Sequence, residues 1–331
     1  MELLKVIALF VLGLVLLIVG GNWFVDGAIG VAKKFKMPEV LIGATVVSLG
    51  TTLPEVLVSS QAAMLGHGEI AYGNAIGSII CNVSLIAAIP IAFRPSRIDP
   101  KQYQLPVIFF FIAAAVYAFN AYVFKGFSRL SGIVLLLIFA VYMFFSVRQA
   151  KEKQEIFDEN DISDVVDLPS DEPVVPFWIS IVKLVLGAAM IAFGANLLVD
   201  NGTLLAQALG VPEAVIALTF VALGTSLPEL VTAIVSLVKG HGDLTAGNVI
   251  GANLLNLVLV SGISTVISPY TIPMEKTLFG INSSLILDIP LMLFVMLFMI
   301  LPAFRKKSFM RWQGIILLAV YAGYCVLQFT I

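Results

Sequence analysis

Two glutamates stand in the middle of apolar sequence with matching neighbours. Glu55 closes the segment GATVVSLGTTLPE, and Glu229 closes ALTFVALGTSLPE 174 residues later. A carboxylate inside a membrane-length apolar run costs at least about 2.5–3.5 kcal/mol, so it needs a partner. No Lys or Arg lies near either glutamate in the sequence; what lies near are oxygens. On a helix, Thr51 and Thr52 fall four and three residues before Glu55 and share its face, and Thr225 and Ser226 stand in the same relation to Glu229. Pro54 and Pro228 lack an N–H, so the carbonyls of Gly50 and Gly224, four residues earlier, are expected to lose their helix partners and the helix to bend at both places. Irregular backbone at membrane depth is tolerated where it lines a cavity, and the freed carbonyls then become available as ligands.

The stretch that follows each glutamate supplies amides. Asn74, Gly77, Ser78 and Asn82 are matched by Asn248, Gly251, Ala252 and Asn256. The small residues permit close helix approach. For Asn74 and Asn248 a helix–helix hydrogen bond and an ion contact are equally open; Asn82 and Asn256 favour the site. Collected together, the inventory is two carboxylates, hydroxyls, amide oxygens and main-chain carbonyls. Such a set suits a hard cation, calcium or sodium, rather than zinc or copper. Two ionised glutamates balance one divalent ion, or hold two or three monovalent ions in overlapping positions.

The elements that position these groups repeat as well. From Gly20 to Ile86 against Gly194 to Val260, 25 of 67 positions are identical without a gap. Of the 331 residues, 60% are hydrophobic and 12% charged, which describes a polytopic membrane protein. The first apolar run, Leu3 to Val25, is longer than a signal-peptide core and lacks a small-residue cleavage site, so it reads as a membrane helix. With about 20 apolar residues needed per crossing, ten all-α spans are expected, at 3–26, 39–65, 70–93, 104–124, 127–148, 176–200, 212–238, 243–268, 278–301 and 311–330. The acidic segment 149–175 separates a half at 1–148 from a half at 176–331 and reads as a linker. Five spans per half is odd, so the second half must enter from the opposite side, giving two inverted five-helix repeats. Fourteen Lys and Arg fall in the loops of one face against four on the other, which places both termini outside and the acidic linker in the cytoplasm of a cell (plasma) membrane. Lys183 is expected to snorkel from the sixth span. Glu39, Glu213, Glu69 and Asp243 read as first-turn acids at helix N-termini. His67 and His241 read as interfacial turn residues, and Asp26 and Asp200 as carboxylates at span ends reaching headgroups or water.

The paired GTTLPE and GTSLPE segments, each followed by GNAIGS or GNVIGA and an Asn, resemble the alpha-repeats of the sodium/calcium exchanger branch of the calcium/cation antiporter superfamily. The resemblance covers both repeats, about 130 residues; elsewhere only the number and placement of spans agree. It implies ten helices, a central site between the two repeat helix pairs, exchange of about three sodium ions for one calcium, and sliding of the first and sixth helices over the core to alternate access. Carried over by position, it implies Glu55 and Glu229 as the main ligands of both ions. It further implies Thr51, Thr52, Thr225 and Ser226 as hydroxyl or carbonyl donors, Ser48 and Ala222 as main-chain donors, and Ser78, Asn82 and Asn256 as the remaining contacts. Two departures bear on this. Asn256 stands where several microbial and potassium-dependent relatives have Asp, which argues against potassium co-transport, and Ala252 stands where they have Ser, which bears on one sodium position and on stoichiometry.

A calcium/proton antiporter using the same two glutamates is the neighbouring alternative, because a carboxylate in a cavity can titrate in the working range. A passive cation channel is more remote: such pores usually arise from rings of subunits, whereas inverted halves in one chain point to alternating access. An enzyme is not expected, since no hydroxyl or thiol nucleophile is paired with a His and no HExxH-like spacing occurs. No cofactor is expected; the ions are cargo, and the partners are those ions and the lipid bilayer. There is no basic face for nucleic acid. Cys81 and Cys325 are isolated in apolar sequence and read as small core residues. Asp288 lies in the ninth span opposite Ala114 of the other half, outside the repeated set; Ser284, four residues earlier, is within helical reach of it.

Overall fold

The computed structural model describes residues 2–159, 176–209, 224, 226–273, 277–278 and 280–330. The fold is mostly helical: α1 (Glu2–Lys34), α2 (Glu39–Met64), α3 (Gly68–Phe93), α4 (Pro100–Phe124), α5 (Arg129–Glu159), α6 (Phe177–Ala208), α7 (Leu227–Val238), α8 (Gly242–Ile267), α9 (Ser284–Lys306) and α10 (Arg311–Thr330). Eight of the described helices are long and apolar enough to cross a membrane, and α7 is a shorter apolar one. The segment expected as the start of the seventh span, up to residue 223, lies outside the described residues, as does 160–175 of the acidic linker.

Four helices overrun their expected ends: α6 continues eight residues past Asp200 to Ala208, so that Asp200 does not end a span as expected, and α9 runs five residues further to Lys306. The helix α1 continues eight residues past Asp26, through the apolar Ala28, Ile29 and Val31, and stops at Lys33 and Lys34, whose charges suit a helix C-terminus. Asp26 is therefore a mid-helix residue, and it ion-pairs with Lys239 and with Lys183 (3.7 Å). Asp26 and Lys183 remain 39% and 33% exposed, so the pairing adds a partner to the surface positions expected of them. The helix α5 runs into the polar segment as far as Glu159, supported there by an i,i+4 pair between Arg148 and Glu152 at 2.8 Å.

Close packing on glycine decides how the halves meet. A Cβ on Gly13 would lie 2.9 Å from the Gly194 carbonyl oxygen, and one on Gly194 would lie 2.9 Å from the Gly13 oxygen. Gly20 and Gly187 form the same reciprocal pair at 3.0 and 2.8 Å, so α1 and α6 run antiparallel with their backbones in contact. Between α2 and α8, a Cβ on Gly43 would lie 2.9 Å from Asn248 N and one on Gly251 would lie 2.6 Å from Ala44 Cα. A large buried core is built from α3, α4, α8 and α9, including Ile79, Phe110, Leu257 and Met296; a second one, with Phe24, Val25, Ile42 and Ile191, lies under α1 and α6.

The repeat is visible residue by residue. Gly66 and Gly240 both take positive φ, at 86° and 87°, in the turns before α3 and α8. The α-helical ladder of α3 relaxes into a π-helical turn at Asn82–Ala87, and that of α8 does so at Asn256–Val260. Such turns contain one extra residue and concentrate at functional positions. Short antiparallel pairs tie the loops: Gly126–Phe127 (β1) pairs with Tyr270–Thr271 (β2), and at the other end of the bundle Arg97 pairs with Ser308.

Candidate cation site

The two sequence-marked glutamates are drawn into one place. Glu55 and Glu229 are both fully buried, and the carboxylates lie close enough to interact electrostatically. Among the described residues, none of their four oxygens finds a hydrogen-bond partner within ordinary geometry. Around them, Thr52 Oγ1, Ser226 Oγ and both polar side-chain atoms of Asn82 and of Asn256 are likewise buried without a partner. Buried polar atoms are satisfied in the great majority of cases, and a buried unpaired charge is far costlier than a buried amide. A converging group of unsatisfied oxygens with two carboxylates is therefore a cage suited to a cation.

Both halves build the cage. Thr51, Thr52 and Glu55 come from the middle of α2, where Pro54 lies inside the helix. On the other side the expectation of a bend at Pro228 is corrected: α7 begins at Leu227, Pro228 and Glu229 lie in its first turn, and Ser226 is the preceding residue. A proline there loses no hydrogen bond, and an acid there meets the positive end of the helix. The Gly224 carbonyl, expected to be free, accepts from the Leu227 N–H at 3.4 Å. Asn82 and Asn256 begin the two π-helical turns. Ser48 and Ser78 are buried beside them, and the Ser48 hydroxyl donates to the Thr45 carbonyl at 3.1 Å. Thr225 and Ala222 lie outside the described residues.

The second-ranked amides divide. The Thr51 hydroxyl donates to Asn248 Oδ1 at 3.3 Å, joining α2 to α8 directly across the halves. Asn74 Nδ2 donates to Ser59 Oγ at 2.8 Å and to the Glu55 carbonyl at 3.4 Å. Both amides thus hold helices together at the edge of the cage. Among the remaining polar positions, Glu39, Glu69 and Asp243 do stand in the first turns of α2, α3 and α8. Glu39 also contacts His241 Nδ1 at 2.7 Å, and Asp243 accepts from the Tyr103 hydroxyl at 2.7 Å. Glu213 lies outside the described residues. Asp288 accepts from Tyr324 (3.2 Å) and Gln328 (3.0 Å) on α10. The resemblance named the first and sixth helices as lying over the core but not the residues that do so: Phe24 of α1 and Ala188 and Ile191 of α6 face Gly50, Thr51, Pro54 and Pro228 across a crevice too narrow for water. A sequence signal for this packing was Gly13 and Gly20, whose counterparts at the 174-residue offset are Gly187 and Gly194.

Comparisons with known proteins agree with this geometry. The family model described as sodium/calcium exchanger protein matches residues 5–148 and 179–330. An uncharacterized membrane protein, MJ0091 of Methanocaldococcus jannaschii, is 35% identical over 316 residues, covering 94% of each chain. The sodium/calcium exchanger MaX1 of Methanosarcina acetivorans is 29% identical over 352 residues, covering 98% of each. Among solved structures, the sodium-calcium exchanger NCX_Mj soaked with sodium and strontium superposes with a TM-score of 0.78 at 29% identity, covering 97% of both chains. Repeat, fold and family model converge, and the chain belongs to the sodium/calcium exchanger protein family.

Proposed function

We propose that the protein is a secondary antiporter exchanging sodium for calcium at the Glu55–Glu229 cage by alternating access. The observation that carries this reading is the pair of fully buried carboxylates, one from each half, whose four oxygens find no hydrogen-bond partner among the described residues. Their combined charge balances one calcium ion, and the same oxygens accommodate sodium ions that compete with it. Glu55 and Glu229 are the principal ligands. Thr51, Thr52, Thr225, Ser226, Ser78, Asn82 and Asn256 complete the coordination, with main-chain donors at Ser48 and Ala222. Asn256 in place of a third carboxylate suits potassium-independent exchange of about three sodium ions per calcium.

Ten spans in two inverted halves, 1–148 and 176–331, make up the transporter, and the antiparallel seam of α1 on α6 supports the inversion. The loops rich in Lys and Arg face the cytoplasm with the acidic linker 149–175, and both termini face outward from the cell membrane. Alternating access comes from α1 and α6 sliding as a unit over the cage, which their crevice against Pro54 and Pro228 supports.

The test is uptake of calcium-45 into sodium-loaded proteoliposomes, with a second set carrying only an outward proton gradient. We expect uptake to depend on internal sodium, and Glu55→Gln or Glu229→Gln to abolish it while the detergent-solubilised protein still elutes as a single species. Uptake driven by protons alone would assign the cage to calcium/proton exchange. Near-normal uptake by either variant would remove that glutamate from the site.

A further inference from the structure

The two ends of the bundle are built from matching residues, yet one is packed solid and the other holds a cavity. At the end carrying the β1–β2 pair, a sealed box is formed by Tyr72, Tyr117, Phe127 and Tyr270, with ring centroids of successive neighbours 4.4 to 6.3 Å apart. At the opposite end, a cavity of about 200 Å³ is lined by Ile91, Arg94, Ser96, Ala246, Met299 and Phe309, among others. These are the same places in the repeat. Residues 72 and 270 correspond to 246 and 96 by the 174-residue offset. The loops after α4 and α9 correspond too: Lys125 and Lys307 share a left-handed φ of 52°, and each carbonyl accepts from an isoleucine N–H, Ile272 at 3.1 Å and Ile98 at 3.0 Å. In these helices the offset is thus 182 residues, which equates Tyr117 with Met299 and Phe127 with Phe309, and Asp288 with Pro106 rather than with the expected Ala114. Replacing Tyr72 by Ala246 and Tyr270 by Ser96 removes two phenol side chains, and the cavity is what they leave.

The lining identifies what fits. Apolar walls of Ile91, Met299 and Phe309 meet one guanidinium, Arg94, and the cavity lining contains no carboxylate. Arg311 reaches the same rim, with its Nη2 donating to the Phe93 carbonyl at 3.5 Å. The nearby acids Asp243 and Glu39 are engaged by Tyr103 and His241. Phe93, 74% exposed, and Trp312, 44% exposed, stand at this rim, the arrangement of aromatic side chains at a membrane–water interface. A site at headgroup depth with an apolar floor and excess arginine is complementary to an anionic headgroup joined to an acyl chain. We propose that this cavity binds an anionic phospholipid, its phosphate on Arg94 and the start of one chain against Met299 and Phe309. The lipid there wedges between the α7–α8 turn at Gly240 and the end of α3.

The experiment reconstitutes the full chain in nanodiscs of equal phosphatidylglycerol and phosphatidylcholine, extracts it into mild detergent, and reads retained lipid by native mass spectrometry. We expect at least a tenfold preference for one retained phosphatidylglycerol. Ala246→Tyr, which restores the side chain of its counterpart Tyr72, and Arg94→Gln should each erase that preference, whereas Arg94→Lys should keep most of it and Arg129→Gln, at the other end, all of it. No preference in the unaltered protein, or one unaffected by Arg94→Gln, overturns the proposal even if the tyrosine variant fails to fold. Displacement by excess glycerol 3-phosphate would also overturn it, because it would make this a site for a soluble phosphate. Retention of lipid is read without ion transport, so the outcome is separate from that of the exchange assay.

Discussion

Thr51 is the residue at which the two halves touch through a hydrogen bond beside the carboxylates, donating to Asn248 Oδ1 while sharing a helix face with Glu55. Removing its hydroxyl leaves Asn248 without that bond and takes one oxygen from the cage. A buried hydrogen bond is worth about 1–1.5 kcal/mol, close to the 1.4 kcal/mol that makes a tenfold change. Thr51→Val is therefore expected to raise the calcium concentration for half-maximal uptake by about tenfold, and Thr51→Ser to stay near the original value. A Val variant with unchanged half-saturation would place Thr51 outside the cage. At this scale the sequence was most informative where polarity contrasted with its surroundings. Glu55, Glu229 and their hydroxyls stand out in apolar runs, and burial brings them together. What could not be read was pairing across distance: Asp26 meets Lys239 213 residues away, and nothing local marks a carboxylate in α1 as an ion-pair partner rather than a headgroup contact. Pro228 misled for a related reason, because a proline within a long apolar run signals a bend or a start equally well.

Among the helices, the contact that separates the cover from the cage is that of α1 with α7. A Cβ on Gly21 would lie 2.6 Å from Val231 Cγ1 and 3.2 Å from Val235 Cγ2, so the two backbones are within disulfide reach. In a Cys81→Ala, Cys325→Ala background, oxidising the pair Gly21→Cys and Val235→Cys should arrest exchange, and reduction should restore it. Full exchange by the oxidised protein would mean that α1 does not move against α7. The existence and order of the helices were legible because apolar runs of membrane length leave few alternatives. Their ends were not: α1 continues past Asp26 because the residues beyond it stay apolar up to a lysine pair. The π-helical turns at Asn82 and Asn256 also left no trace, since one extra residue per turn changes no composition.

For the molecule as a whole, three sodium ions against one calcium would move one net charge per cycle, coupling the cycle to the membrane potential by about 2.3 kcal/mol per 100 mV. An imposed potential in sodium-loaded vesicles should then change the initial rate of calcium uptake, speeding it when the vesicle interior is positive. A rate insensitive to potential would indicate electroneutral exchange and a different ion count. The inverted arrangement proposed for this cycle rests on sequence arithmetic, five spans per half, whereas the identity of the packed neighbours could not be read, since glycines mark close approach without naming the partner. The reciprocal Gly13–Gly194 and Gly20–Gly187 contacts also order events during biosynthesis. Helix α1 is synthesised well before its mate α6, so it enters the bilayer without that partner. Its sequence is suited to this: α1 has the highest mean hydropathy of the candidate spans, 2.9, and only 17% of that stretch is buried against protein even in the finished fold. Insertion of α1 thus yields a helix already at home in the bilayer, and closure of the seam follows only once α6 has been made.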